Sequence, residues 1–447
     1  MSLMNETVFA EKAAIVLERA QALGAQECSV QLYQSEGESL QLREGQLEEL
    51  NREQELSVGI SVLKNQAMGH CSISDCTPDA LCAAVQAAID GATYTEADEY
   101  FGLPEVQYYR PLSAQALADL ELDSGILPSS DWLEAQAQIM ESSAKAYDAR
   151  IVLCDGAGAD AGRSYVYLAQ SNGFAGGYSS SHASLSLSVL AREQDDQQTD
   201  FSWDSARFYQ DLQAPESIGR QAAQKAIAHL LPKAIASGEY PVIFDREIAN
   251  GLLRHVVQAL EGRAQYRKLS FLADSLGRQI MPEWLSLQEH PHLPRALSSI
   301  PFDSEGLAPA DSALISEGRV ARYLLNSYAA RRLNSAPTGN GGGVHNLKLH
   351  SQTAPLPLEE LYRQMGRGLI VTSLMGQGVD LLTGDYSRGA SGFWVENGVI
   401  SHAVEGLTIA GNLNEMLRDI VAIGDDADTR RSIHAPSIWI KKMVVAQ

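Results

Sequence analysis

The side chains of this chain that could do chemistry are few and scattered. The densest set of donors is Glu289-His290-Pro291-His292. Residues two apart in an extended segment face the same side, so both imidazoles could converge on one ion. The plainer expectation is a solvated loop around the proline. His255 and His345 stand alone and read as packed or hydrogen-bonded rather than ligating. Asp385 and Arg388, in a loop bounded by Gly384 and Gly389, form the polar pair we place nearest a cleft, against the plainer reading of a structural ion pair in a turn.

The glycine tracts invite a phosphate reading that does not hold. Gly339-Asn340-Gly341-Gly342-Gly343 lacks the Gly-Lys-Ser/Thr ending of a phosphate loop. Gly156-Ala157-Gly158-Ala159-Asp160-Ala161-Gly162 misses the dinucleotide spacing by one residue. Close approach of backbone to backbone suits them better, in a tight turn or where a peptide lies in a cleft. Gly341, Gly342, His345, Asp385 and Arg388 are therefore the candidate cleft-lining residues. Gly389-Ala390-Ser391-Gly392 is not a nucleophile elbow, so no catalytic residue is assigned. Cys28, Cys71, Cys76, Cys82 and Cys154 show no paired zinc spacing and read as reduced thiols of a cytosolic protein.

The elements that must position these residues follow from periodicity. Apolar positions between 6 and 22 make an amphipathic helix stopped by Gly24. Period-two stretches follow at 28–33, 39–43 and 56–62, and a second helix begins at Pro78 and runs to about Ala92. The order recurs: a helix at 131–147, strands at 150–154, 164–168 and 183–190, and a helix at 216–230. Beyond Pro232–Pro241 the chain turns glycine-rich, with short β-like runs. The expected class is α+β: two helix–strands–helix units at 1–110 and 128–232, then a mostly antiparallel β domain with a few helices at 240–447.

A length of 447 residues suits about three domains. Hydrophobic content of 45% with 20% charged residues is that of a globular protein. The net charge of -22 excludes direct nucleic-acid binding as a leading reading, because that affinity rests on Lys and Arg neutralising phosphates. No apolar run is long enough for a transmembrane helix, and no basic leader precedes one. Met1-Ser2-Leu3 before Met4 reads as an expression remnant.

One helix carries a more specific signal. Asn250-Gly251-Leu252-Leu253-Arg254-His255-Val256-Val257-Gln258-Ala259-Leu260-Glu261-Gly262 resembles the metal-binding helix of the TldD/TldE peptidase family, also called PmbA or "modulator of DNA gyrase". The family's active subunit reads Leu-Leu-His-Glu-x-x-x-His, then Leu-Glu-Gly. Anchored on Leu252-Leu253, this chain has Arg254, His255 and Ala259 at the ligand positions. The stretch matching the family's C-terminal cysteine is Ser432-Ile433-His434-Ala435-Pro436-Ser437, with Ala435 in its place. The resemblance continues through Pro301-Phe302-Asp303-Ser304-Glu305-Gly306, Thr338 to Gly343, Gly384 to Gly389 and Phe393 to Gly398. It is closest to the PmbA/TldE branch.

That resemblance implies the partner subunit of a cytosolic two-component metallopeptidase acting on unfolded or extended peptides, as in bacteriocin-precursor maturation and antitoxin turnover. It implies no metal in this subunit, with zinc or a similar divalent ion in a metal-bearing TldD-like partner. A heterodimer with that partner is expected, and a homodimer when the chain is alone. The alternative is a non-enzymatic regulator that binds DNA gyrase or an antitoxin.

Overall fold

The computed structural model describes residues 5–447, so the expected remnant at Met1-Ser2-Leu3 lies outside the described residues. Helix α1 (Glu6–Ala22) buries Phe9, Ala13, Val16 and Ala20 at helical spacing, and the Asn5 side chain caps the Val8 N–H. Strands β1 (Glu27–Arg43), β2 (Gln46–Lys64) and β3 (Ala67–Ile73) lead to α2 (Pro78–Ala92). After a linker carrying the short α3 (Ala114–Asp119), the pattern repeats as α4 (Ser130–Tyr147), β4 (Ile151–Gln170), β5 (Ala175–Glu193), β6 (Asp196–Ala206) and α5 (Pro215–Ala228).

Two strands are longer than periodicity suggests. Alternation is interrupted in β1 between residues 33 and 39 and in β4 between 154 and 164, yet both strands run through. Each is paired along both sides, so the backbone groups of their polar, glycine-rich middles are satisfied whatever the side chains are. Gly37 lies opposite Gly162, where an added Cβ would come within 3.2 Å of the Ala161 carbonyl.

The two units share a single sheet. β1 and β4 pair antiparallel from Ser29↔Gln170 to Leu42↔Ala157 with no register shift. The strand order is β3-β2-β1-β4-β5-β6, symmetric about that junction. Cys28, Val30, Leu32, Leu40 and Leu42 are all buried and all at even positions, hence on one face. The first three pack with α1 and α2, the last two with α4 and α5. All four helices therefore cover the same face. The other face, with Ser29, Gln31, Ser35, Gly37 and Ser39 of β1, is free of them.

The remaining chain forms β7 (Gly238–Phe244), α6 (Arg246–Leu260), α7 (Gly262–Tyr266), β8 (Leu285–Glu289), β9 (Ser312–Ser316), β10 (Arg319–Val320), α8 (Ser327–Arg332), β11 (Leu347–Ser351), α9 (Leu358–Met365), β12 (Gly368–Met375), β13 (Asp385–Glu396), β14 (Val399–Asn412), α10 (Leu413–Arg418), β15 (Ile420–Ile423), β16 (Ile433–His434) and β17 (Ile438–Ala446). Strands β14-β13-β12-β7-β17 close on themselves, because β17 also pairs with β14 from Thr408↔Ala446 to Ala410↔Val444. A second sheet has the order β10-β9-β8-β11-β16. Pro241 lies within β7, where the register of β17 slips between Ile440 and Met443, so its missing N–H leaves no ladder bond unmade. The apolar side of α6 (Leu252, Leu253, Val256, Leu260) joins Phe244 of β7, Leu287 of β8 and Leu347 of β11 in one buried cluster. The protein is thus α+β with a large β-rich C-terminal part. No helix among the described residues is long and apolar enough to cross a membrane.

Candidate functional site

Helix α6 is the natural starting point, because it carries the positions singled out by sequence. Asp245 caps it, accepting from the Glu247 N–H at 2.9 Å. Arg254 is exposed, while Ala259 and Ala435 are both fully buried in the same apolar cluster. His255 is half-buried, 6.2 Å from the Tyr386 ring, and its Nδ1 has no partner. Burial pushes its imidazole below the usual range, and the charges of Arg388 and Arg254 add to that. These residues do not fit a metal: one imidazole flanked by two guanidinium groups is not the three-donor set a catalytic zinc needs. Among the described residues, no three His, Cys, Asp or Glu side chains gather as a metal site.

The cap of this helix gives a pH test. Burial raises the Asp245 carboxyl to about 6, with Glu247 and Asp426 adding to the rise. A carboxyl whose folded pKa exceeds its unfolded value contributes stability at low pH that is lost as pH climbs through the folded pKa. Asp245→Asn keeps a capping acceptor and cannot ionise. It is expected to be about 1–3 kcal/mol more stable than the parent at neutral pH, with the gap closing at or below pH ~4. Urea melts at the two pH values measure it, and a gap that does not change with pH contradicts the assignment.

A groove runs where the helix-free face of the N-terminal sheet meets the C-terminal domain. Three cavities, of about 310, 250 and 390 Å³, all have Ser304 in their walls. Gln31 of β1 and Leu168 of β4 line its sheet side, and Asp303, Gly341, Gly342 and His345 face them. At its far end it reaches Glu261 and Gly262, just past α6.

A buried polar network shapes the glycine-rich wall. Glu289 is fully buried; its Oε1 accepts from Asn340 Nδ2 and from the His345 N–H, each at 2.8 Å. Its Oε2 accepts from the Arg322 guanidinium, which also donates to Asn340 Oδ1 at 2.9 Å. Asp303 accepts from the Gly341 N–H at 2.7 Å and from the Leu307 N–H at 2.9 Å. Burial pushes both carboxyls upward, against the hydrogen bonds that hold them ionised. Burial also takes the His345 imidazole down to about 4, so it is neutral at neutral pH. A Cβ on Gly341 would lie 2.9 Å from Asp303, whereas Gly342 has open space.

The other candidates are placed differently. Asp385 is exposed at the head of β13, held by Thr383 and Asn412. Arg388 lines a separate cavity of about 470 Å³ together with Gly251, Thr372 and His229. The two do not form a pair. In that cavity His229 Nε2 lies 3.7 Å from Asp200 and 3.3 Å from the Thr372 hydroxyl. One ring nitrogen meets both, so this is not a relay of the serine-protease kind. His290 and His292 do not converge, and the segment is a loop around the proline. β8 ends at Glu289 and the chain turns at Pro291, so the two-residue alternation stops there. His292 sits by His345, and His290 turns to His350. Arg322 and Glu289 as partners were not visible in sequence, since nothing local links residues that far apart.

The three segments match family models described as PmbA/TldA metallopeptidase domain 1 (28–92), central domain (127–230) and C-terminal domain (237–447). The chain is 40% identical over 410 residues to the metalloprotease PmbA of Escherichia coli O157:H7, covering 92% of this chain and 90% of that one. A Bacteroides thetaiotaomicron protein described as a modulator of DNA gyrase has the same fold with a TM-score of 0.90, at 27% identity over 98% of each chain. TldE from Thermococcus kodakarensis matches in fold with a TM-score of 0.85 at 20% identity, covering 98% of this chain and all of that one.

Proposed function

The chain belongs to the PmbA/TldD metallopeptidase family, and from that membership we propose that it is the channel-shaping subunit of a two-component peptidase. In this reading the catalytic metal sits in a partner bearing the His-Glu-x-x-x-His helix. The observation that carries it is the joint burial of Ala259 and Ala435, which puts core packing where a donor set would converge. The substrate is an unfolded or extended peptide lying in the groove, its backbone passing over Gly341 and Gly342. Five unpaired cysteines suit the reducing cytoplasm as the place of action.

The test is reconstitution. The purified chain alone is expected to leave an unfolded peptide intact. Mixed with a His-Glu-x-x-x-His homologue from the same cell, it is expected to give cleavage that a chelator abolishes. Chelator-sensitive cleavage by a preparation free of that homologue overturns the proposal, and binding without any cleavage favours the regulatory alternative. Gly342→Ala adds a substrate-side readout, because its new methyl group meets no protein atom within 4 Å. It is expected to fold as the parent does while lowering cleavage by the assembly about tenfold through misplaced substrate. Unchanged cleavage removes the peptide from this wall of the groove.

A further inference from the structure

The rings of His290 and His350 meet on the second C-terminal sheet, Nε2 to Nε2, at 3.2 Å. His350 lies within β11 and His290 one residue beyond β8, the strand paired with it. Both residues are partly buried but still reach solvent. Two neutral imidazoles in this arrangement share one proton between two lone pairs. The same separation also suits two ligands of one ion. With metal–nitrogen bonds of about 2.0–2.1 Å, nitrogens at this separation close on an angle of roughly 100°, between octahedral and tetrahedral values.

The second nitrogen of His290 points the same way chemically. Its Nδ1 lies 3.5 Å from Asp311 Oδ2. A carboxylate on one ring nitrogen fixes the tautomer that leaves the other free to ligate, which is the usual support behind a metal-bound histidine. Two neighbours bear on the charge. Lys348, two residues before His350 on β11, opposes a cation, while His434, opposite Lys348 on β16, has an unpartnered Nε2 and lies in electrostatic reach of His290.

We propose that His290 and His350 form a two-imidazole site for a divalent transition cation of the zinc, nickel or cobalt class, with Asp311 orienting His290 and water completing the coordination. The site is separate from the ligand-poor positions on α6. It also stands directly behind the groove. The His290 N–H donates to the His345 carbonyl at 3.3 Å, and the preceding residue, Glu289, holds Asn340 and the His345 N–H. A bound cation therefore stiffens the strand end from which the glycine-rich wall hangs.

Titration of the full-length chain with cobalt(II), followed by its visible absorption, and with zinc by calorimetry, tests this at neutral pH. About one cation per chain is expected. His290→Ala and His350→Ala are each expected to abolish that stoichiometric binding, and Asp311→Asn to weaken it by about tenfold. The control His402→Ala, a half-buried histidine of β14, and the helix variant His255→Ala are expected to leave it unchanged. No binding by the parent chain, or binding that survives in the His290/His350 double variant, overturns the site. Binding that is lost in His255→Ala instead places the cation on α6 and overturns both this site and the subunit reading, whereas absence of binding leaves that reading intact.

Discussion

Arg322→Met is expected to cost about 3–5 kcal/mol of unfolding free energy. Glu289 is fully buried, and burial already pushes its carboxyl upward. Arg322 is the positive partner of that carboxylate, and its removal leaves a charge with only Asn340 and a backbone N–H for company. A carboxyl with a raised folded pKa is least costly when protonated, so the deficit should shrink as the pH falls into the carboxylate range. The double variant Arg322→Met/Glu289→Gln removes both charges and is expected to recover most of the loss, since Gln can still accept from Asn340 and His345. Urea denaturation of the three proteins decides it. A single variant that loses under about 1 kcal/mol would mean that Glu289 is neutral or solvated in the native state.

A backbone clash gives the second large effect. Gly392 sits in β13 beside the slip in its pairing with β12 and β14, and an added Cβ would stand 1.9 Å from the Ile370 carbonyl oxygen and 3.1 Å from the Thr372 nitrogen. Neither atom belongs to a flexible side chain, so the closed five-stranded ring would have to open locally. Gly392→Ala is expected to lose about 3 kcal/mol or more, or to yield no soluble protein. Gly251→Ala is the contrasting case. It lies inside α6, its Cβ would meet nothing within 4 Å, and it is expected to gain about 0.5–1 kcal/mol from helix propensity. If both changes have the same sign, crowding at β12 is not what fixes glycine at 392.

The four helices that cover the N-terminal sheet were legible because each has a local signature. Phe9, Ala13, Val16 and Ala20 recur at helical spacing, and Pro78 and Pro215 open helices. The long strands were legible only in part. The alternation of Cys28, Val30 and Leu32 is visible, but Ser35, Glu36 and Gly37 look like a turn until their partners at Ser164, Arg163 and Gly162 are known. Pairing between strands so far apart in sequence leaves no trace in local periodicity, and neither does the closure of β14 on β17. The same limit applied to the candidate site. Gly341, Gly342 and His345 stood out by residue type, and the groove brings them together. Arg322 and Asp303 did not, because their importance lies in which buried partner each one meets. The plainer expectation for His290 and His292, a loop around the proline rather than convergence on one ion, was legible because Pro291 ends the extended run locally.

The shared N-terminal sheet has a consequence for how this protein is made. The inner edge of β1 finds its partner only in β4, on the order of a hundred residues later in the chain. At about 5–20 residues per second, that edge leaves the ribosome and waits roughly 5–25 s before its neighbour exists. A bare strand edge of this length is a template for pairing with another nascent chain. The middle of β1 carries Glu36 and Glu38, which fold against Arg163 and Arg52 once those arrive. Arg52 reaches Glu38 as soon as the β1–β2 hairpin forms, but Glu36 waits for Arg163 of β4. Until then its carboxylate repels the same position of any second copy, so a charge that looked like part of a turn in the sequence guards the seam along which the two halves are later joined.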